Sequence, residues 1–286
     1  MNMKVLAIQL EIETGQVAAN YERAFAMLDE GARRYHPDVI LLPEAFAAYR
    51  AAADMRGVAE PVPGPTTARF CALSQQYGAM IIFGMARQSP DGDAVFNSAI
   101  LVDKGQIAGI YDKTHLTMDH QPETCAIGNE QEIYKAGDRL GLFDTRFGRL
   151  GVLICHDGDY PEVWRALALE GSRALFWISQ TRVDVSVWAQ AHAGWNSTPV
   201  FNCNAVRRDE HGKRLGGRSG FFDVRGNALA TAGTAEAFLY AEVDLDEQAR
   251  YRAAGLSAWS NYFRVRRPEL YGALTRARGD LPQEDK

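Results

Sequence analysis

Short runs of almost unbroken apolar residues recur along this chain, separated by stretches whose apolar residues repeat at helical spacing. "KVLAIQL" (4–10) comes first, "NYERAFAMLDEGARRY" (20–35) follows with Tyr21, Ala24, Leu28 and Ala32 on one helical face, and "DVILL" (38–42) comes next. That order predicts a β-α-β opening. "PTTARFCALSQQYG" reads as a helix entered through Pro65 and stopped at Gly78, and "AMIIFGMA" returns to strand. "FNSAILVD" and "IAGIYD" flank "KGQ", a hairpin around Gly105. Further strands are predicted at 150–155, 173–178, 199–205, 219–224 and 238–243, with a helix opening at Pro161. A strand that is apolar at nearly every position must be covered on both faces. So many of them predict an α/β fold in which two sheets are enclosed by helices.

The 286 residues, 47% of them hydrophobic, supply apolar surface for a large core. Neither linker, repeat nor low-complexity segment divides them, so residues 1–286 read as a single domain with a polar tail from about 277. The net charge is −5 and Lys and Arg are scattered, which leaves no basic stripe for a nucleic-acid backbone. The N-terminal apolar run is interrupted by Gln9 and Glu11, and no other run approaches a bilayer span, so a cytoplasmic protein without a membrane partner is expected. Cys71, Cys125, Cys155 and Cys203 lie far apart with no C-x-x-C spacing, so neither disulfides nor a thiolate zinc site is expected.

Three reactive side chains fall at three strand ends. "DVILLPEAF" delivers Glu44, "GIYDKTHL" delivers Lys113, and "RLGVLICHDGDYPE" delivers Cys155 at a strand-to-helix turn. In α/β folds such ends border the ligand crevice, because a side chain there escapes the sheet while the scaffold still holds it. Taken singly, Glu44 reads as a helix-start acid, Lys113 as a surface charge and Cys155 as a small core residue. Taken together they make a nucleophilic site. Cysteine attacks as thiolate, and a thiol ahead of the helix at Pro161 and near a lysine is expected to have a lowered pKa. Glu44 then serves as general base, Cys155 as nucleophile, and Lys113 as the cation facing the oxyanion, with the His156 backbone N–H as second donor.

The His156 side chain is a poor base for Cys155, because neighbours in extended chain point to opposite faces. Asp157, Asp159 and Glu162 read as turn and helix-cap carboxylates that hold the loop. A rival metal site drawn from His115, Asp119, His120, His156 and Asp157 has no supporting ligand spacing, and no phosphate-loop motif occurs, so neither metal nor cofactor is expected. A redox sensor built on Cys155 would need Cys125 or Cys203 nearby as a resolving thiol.

These motifs resemble the nitrilase superfamily of carbon–nitrogen hydrolases, whose pattern is P-E, then lysine in Y-x-K-x-H, then G-x-x-I-C-x-D-x-x-x-P-E. Here they read "LLPEAF", "YDKTHL" and "GVLICHDGDYPE", and "PVPGPTT", "GRSGFFDVRGNALATAG" and "RRPELY" extend the likeness nearly end to end. The resemblance implies a four-layer α-β-β-α sandwich that forms homodimers, needs no cofactor, and uses Glu44, Lys113 and Cys155 as catalytic triad. It also implies a second active-site glutamate ahead of Gly137, which selects Glu130 to orient Lys113 and the carbonyl, with Glu132 as the alternative. Nitrilases typically carry C-W-E at the nucleophile, whereas "CHDGDYPE" has Asp157, as amidases and carbamoylases do. The implied activity is amide hydrolysis of a small linear substrate, with N-carbamoyl compounds as the alternative and nitrile hydrolysis or a non-catalytic, redox-sensing role less favoured. Where many members read R-A-x-E-N, this chain has "HAGWNSTPVF", so His192 to Thr198 are expected to shape a different pocket wall. Trp177, Trp188, Trp195 and Tyr49 are further wall candidates.

Overall fold

Alternation along each strand sends successive apolar residues to opposite faces, and in this chain both faces are covered. The computed structural model describes residues 1–47, 57–118, 129–253 and 263–276. Strands β1 (Asn2–Gln9), β2 (Val39–Leu41), β3 (Met80–Gln88), β4 (Val95–Asp103) and β5 (Gln106–Asp112) build one sheet. A second sheet holds β6 (Gly141–Thr145), β7 (Gly148–Ile154), β8 (Ala174–Ser179) and β9 (Val200–Asn204). The ribbon of β10 (Val206–Arg208) and β11 (Arg214–Gly216) projects beyond β9. Then β12 (Gly220–Phe222) and β13 (Ala228–Thr231) complete the second sheet, and β14 (Ala237–Asp244) crosses back to pair with β1. The strand orders are β14-β1-β2-β3-β4-β5 and β13-β12-β9-β8-β7-β6.

Residues of opposite parity separate the layers. Val5, Leu41, Ile82 and Leu101 of the first sheet meet Val152, Ile154, Phe176 and Phe201 of the second in a dry core between the sheets. Their neighbours Ile40, Ile81 and Phe83 face outward onto α1 (Val17–Tyr35) and α2 (Pro65–Tyr77) through Leu28, Phe25 and Phe70. Leu153, Leu175 and Trp177 face the other way, onto α3 (Pro161–Leu169) and α4 (Ser186–Asn196). The architecture is the four-layer α-β-β-α sandwich. A last helix, α5 (Leu245–Ala253), follows β14, and no described helix is long and apolar enough to cross a membrane.

The predicted strands and the first three helices are present, with α1 beginning at Val17, three residues earlier than its periodic stretch. Helix α4 was not foreseen: "SVWAQAHAGWN" carries no Asp, Glu, Lys or Arg and contains Gly194, so it offers neither a charged face nor a strong propensity. Strand β6 is short and only partly buried, which blunts its pattern.

Candidate active site

Four of the expected residues converge where the two sheets meet along one edge. Glu44 stands three residues past the end of β2, Lys113 one past β5, and Cys155 one past β7. Glu130 opens a single 3-10 turn, Glu130–Glu132, capped by the Asn129 side chain. Lys113 Nζ donates to Glu44 Oε1 at 2.9 Å and to Glu130 Oε1 at 2.9 Å, and Asn97 on β4 donates to the same oxygens at 2.7 and 3.1 Å. The Thr117 backbone N–H donates to Glu130 Oε2 at 2.9 Å. Glu44, Lys113 and Glu130 are each only 1% exposed, so the ammonium is the counter-ion that makes burial of two carboxylates tolerable. Glu132 is exposed and accepts from the Asn129 side chain, so of the two glutamates Glu130 is the one in contact with Lys113.

Backbone contacts fix this cluster. The Lys113 N–H donates to Asn97 O, and the Gly137 N–H donates to Lys113 O. Glu44 is held from below by Gly84 of β3: a Cβ there would lie 2.4 Å from Ala45 N and 2.6 Å from Glu44 Cα. Only glycine leaves room for the strand to pass so close. Glu44 Oε2 is buried with no hydrogen-bond partner among the described residues, so one carboxylate oxygen remains available for a proton.

Cys155 sits at a strained elbow, with φ of +43° in a non-glycine residue. Trp177 Nε1 donates to Cys155 O at 2.9 Å, and its ring fills the space over Gly158, where a Cβ would come within 2.3 Å. Asp157, fully buried, sews the elbow to the lysine loop: it accepts from the Ile154 N–H and Tyr111 hydroxyl on one oxygen, and from the Thr114 hydroxyl and His115 N–H on the other. It caps the Cys155–Asp159 turn, as expected of a loop-holding carboxylate, and is in addition a buried hub that ties the turn to the lysine loop. The Gln180 side chain donates to Glu44 O at 3.3 Å, and its backbone N–H faces the Cys155 sulfur closely enough to favour the thiolate slightly.

The electrostatics depart from the expectation for Cys155. Burial raises its thiol well above the ordinary value, the Glu44 charge adds to the rise, and Lys113 only partly offsets them. Although part of the residue's surface is open, the sulfur rests against dense packing. The helix expected to lower the pKa begins only at Pro161, after an intervening 3-10 turn, Cys155–Asp159. Burial likewise raises Glu44, with Lys113 opposing and Glu130 reinforcing the rise. For Lys113 burial favours the neutral amine, but Glu130, Glu44 and Cys155 outweigh it and hold the lysine well above its usual value. The resting site is therefore a cationic lysine between two carboxyls beside a neutral thiol.

The remaining candidates scatter. The His156 ring is engaged by hydrogen bonds away from the sulfur, its Nδ1 2.6 Å from Asp159 Oδ2 and its Nε2 3.2 Å from the Tyr160 hydroxyl. Glu162 lies exposed in the first turn of α3. The stretch from His192 to Thr198 is not a wall of this site: His192 stacks on Trp164 at 4.7 Å, and Thr198 Oγ1 accepts from Gln248 and Arg252 of α5. Burial pushes His192 down to about 4, so it is a neutral packing group at pH 7. Trp188 and Trp195 are 42% and 54% exposed on α4. Tyr49, Asp119, His120, Cys125 and the tail from 277 lie outside the described residues. His115 meets Asp157 as a hydrogen-bond partner, and among the described residues no group of three His, Cys, Asp or Glu is gathered for a metal. Cys203 is level with Ile154 two strands away, about 10 Å by strand spacing and beyond disulfide reach of its neighbourhood.

Sequence reasoning missed Asn97, Tyr134 and Gln180. Asn97 and Gln180 interrupt or follow buried strands in "FNSAI" and "WISQ", and an uncharged polar residue in such a run is the signal that was available. Tyr134, 4% exposed, has a buried hydroxyl without a partner among the described residues; burial first, then the Glu130 and Glu44 charges, keep it protonated.

A family model described as carbon–nitrogen hydrolase matches residues 4–253. The chain is 30% identical to the N-carbamoylputrescine amidase of Solanum lycopersicum, covering 94% of each chain. It is 27% identical to the omega-amidase NIT3 of Saccharomyces cerevisiae, over 88% of this chain and 90% of that one. The solved carbon–nitrogen hydrolase of Helicobacter pylori G27 superposes with a TM-score of 0.80 at 22% identity, over 96% of this chain and 99% of that one, and so shares the fold.

Proposed function

Since this chain belongs to the carbon–nitrogen hydrolase family, we propose that it cleaves the C–N bond of a small linear amide and releases ammonia through a thioester on Cys155. Glu44 takes the thiol proton as the sulfur attacks the carbonyl carbon. Lys113 Nζ, with the His156 backbone N–H, stabilises the oxyanion. Collapse of that intermediate breaks the C–N bond, and Glu44 returns its proton to the departing NH2 group, which leaves as ammonia. Water then loses a proton to Glu44, attacks the thioester and releases the acid, and the thiol is restored. Glu130 holds Lys113 in place.

The observation that carries this reading is the buried Glu44–Lys113–Glu130 cluster at the strand edge that also presents Cys155. Burial raises the thiol well above its ordinary value and leaves it neutral at rest, so deprotonation by Glu44 accompanies attack instead of preceding it. The likeness to an N-carbamoylputrescine amidase favours a second reading, an N-carbamoyl amine or amino acid as substrate, which the same machinery would cleave. Assembly as a homodimer is part of the proposal and is tested by sedimentation velocity.

The deciding experiment measures ammonia release from amides, N-carbamoyl compounds and nitriles by wild type and Cys155→Ala, with and without chelator. Amide or carbamoyl turnover that vanishes in Cys155→Ala and survives chelator is expected. Turnover that survives Cys155→Ala and disappears with chelator would overturn the mechanism, and activity confined to nitriles would overturn the substrate class.

A further inference from the structure

Gln180, the residue that follows β8, spans the joint between the two sheets. Its backbone N–H faces the Cys155 sulfur on the second sheet, and its side-chain Nε2 donates at 3.3 Å to the backbone O of Glu44, which lies past the end of β2 in the first. The side chain therefore runs from beside the nucleophile to the backbone of the base. It is fixed in that position, since Gln180 is 2% exposed and its own carbonyl accepts from Arg207 Nη1 at 3.3 Å.

Three oxygens of this neighbourhood are buried without a hydrogen-bond partner among the described residues: Gln180 Oε1, Asn97 Oδ1 and Glu44 Oε2. Turning the two amides over does not relieve this. Gln180 Nε2 faces a carbonyl oxygen, and Asn97 Nδ2 faces Glu44 Oε1 at 2.7 Å and Glu130 Oε1 at 3.1 Å, so either rotation would set oxygen against oxygen. An amide oxygen lies about 2.2 Å from its nitrogen, which keeps Gln180 Oε1 within about 5.5 Å of Glu44 O and Asn97 Oδ1 within about 5 Å of Glu44 Oε1. Acceptors outnumber donors around the base, and the group that would match them is small and rich in N–H.

We propose that Gln180 sets a requirement for an unsubstituted nitrogen in the substrate: its Oε1 accepts one N–H of the departing NH2 group and Asn97 Oδ1 accepts the other. The proposal rests on the amidase reading and deepens it, because the NH2 of a primary amide and the terminal NH2 of an N-carbamoyl compound fill this subsite alike. In the tetrahedral intermediate the nitrogen carries two N–H bonds and a lone pair. With both N–H groups held by the two side-chain amides, the lone pair is left for the proton on Glu44; that proton moves to nitrogen, the C–N bond breaks, and ammonia leaves. An N-methyl amide loses one N–H and sets a methyl against a buried oxygen, and an ester loses both.

The test uses one acyl group, that of the best amide of the panel or butyryl where none is turned over, as primary amide, N-methyl amide and methyl ester. In wild type, kcat/KM for the primary amide is expected to exceed that for the N-methyl amide by at least about 100-fold. Gln180→Leu keeps apolar bulk and removes the acceptor, so the primary amide should lose at least about 10-fold relative to both the N-methyl amide and the ester. A side chain that merely braced Glu44 would lower all three by one factor. A second readout does not need turnover: NMR titration of Cys155→Ala should show the primary amide binding at least about 10-fold more tightly than the ester, a preference lost when Gln180→Leu is added. An N-methyl amide turned over within about threefold of the primary amide, an equal loss on all three compounds in Gln180→Leu, or Cys155→Ala binding amide and ester alike would overturn the subsite. If none of the three is hydrolysed while Cys155→Ala still prefers the amide through Gln180, the subsite stands and the hydrolase reading fails.

Discussion

Glycine at position 84 brings the first sheet against the backbone of Glu44, the proposed base, and Gly84→Ala turns that approach into a measurable displacement. The added methyl would lie 2.4 Å from Ala45 N, 2.6 Å from Glu44 Cα and 2.8 Å from Glu44 C, all backbone atoms. Ordinary contact requires about 1 Å more, and no rotamer can supply it, so either β3 or the Glu44 loop must retreat. β3 is pinned on both sides, by β2 and by eight register pairs with β4, which leaves the loop to move. A shift of about 1 Å in a catalytic group costs about 10²-fold in rate. Overpacking adds about 1–3 kcal/mol of destabilisation, or a fall of a few degrees in Tm. The assay is kcat/KM for ammonia release on the best amide of the panel, beside thermal unfolding. Gly109→Ala is the matched control: its methyl would meet only the Phe143 ring at 2.4 Å, a side chain far from Cys155, so stability should drop while kcat stays near wild type. A Gly84→Ala enzyme within about threefold of wild-type kcat/KM would refute the argument that Glu44's backbone is held at contact distance.

Other outcomes follow from the same geometry. Asp157→Asn removes the charge that gathers Tyr111, Thr114, His115 and Ile154, and should cost about 2–4 kcal/mol in urea unfolding together with most activity. Its hydrogen bonds hold the Asp157 carboxyl below the ordinary value against the opposing effect of burial, so its stabilisation is present above the unfolded carboxyl range and lost as pH falls through the folded pKa. Asp157→Asn should therefore flatten the acid side of the stability–pH curve. Lys113→Met leaves Glu44 and Glu130 buried without a counter-ion and should destabilise by about 3–5 kcal/mol at pH 7, less at pH 5 as a carboxyl protonates. Because burial raises Glu44, the acid limb of kcat/KM should fall above the usual carboxylate range; a limb at or below pH 4.5 would contradict its role as the base.

How much could be read from the chain depended on how local each signal was. Glu44, Lys113 and Cys155 stand at abrupt boundaries between apolar strand and polar loop, so their placement at strand ends followed from the strand pattern, while their meeting along one edge depends on how the two sheets pack. Glu130 sits in a single 3-10 turn with no periodicity, and only the family resemblance distinguished it from Glu132. That Asp157 caps its own turn was a local signal, whereas its ties to Tyr111 of β5 and to the lysine loop, distant in sequence, meet only in the folded chain. The direction of the Cys155 shift was misjudged for a related reason: sequence displays the nearby lysine and helix, whereas desolvation depends on atoms contributed by the whole sandwich. The packing of His192 to Thr198 was not foreseen because α4 itself was not recognised: the helix docks them on α3 and α5, where His192, Trp195 and Asn196 line a cavity apart from Cys155.

The joint between the sheets has a consequence for transplanting this chemistry. Glu44 and Lys113 ride on one sheet, Cys155 on the other, and the dry interleaving of Val5, Leu41 and Ile82 with Val152, Ile154 and Phe176 sets their mutual alignment. No loop graft carries such a site into another scaffold, since its critical dimension belongs to neither half. Substitutions deep in that middle layer would act as timing errors do in a two-part mechanism: each half intact, the two meeting in the wrong place.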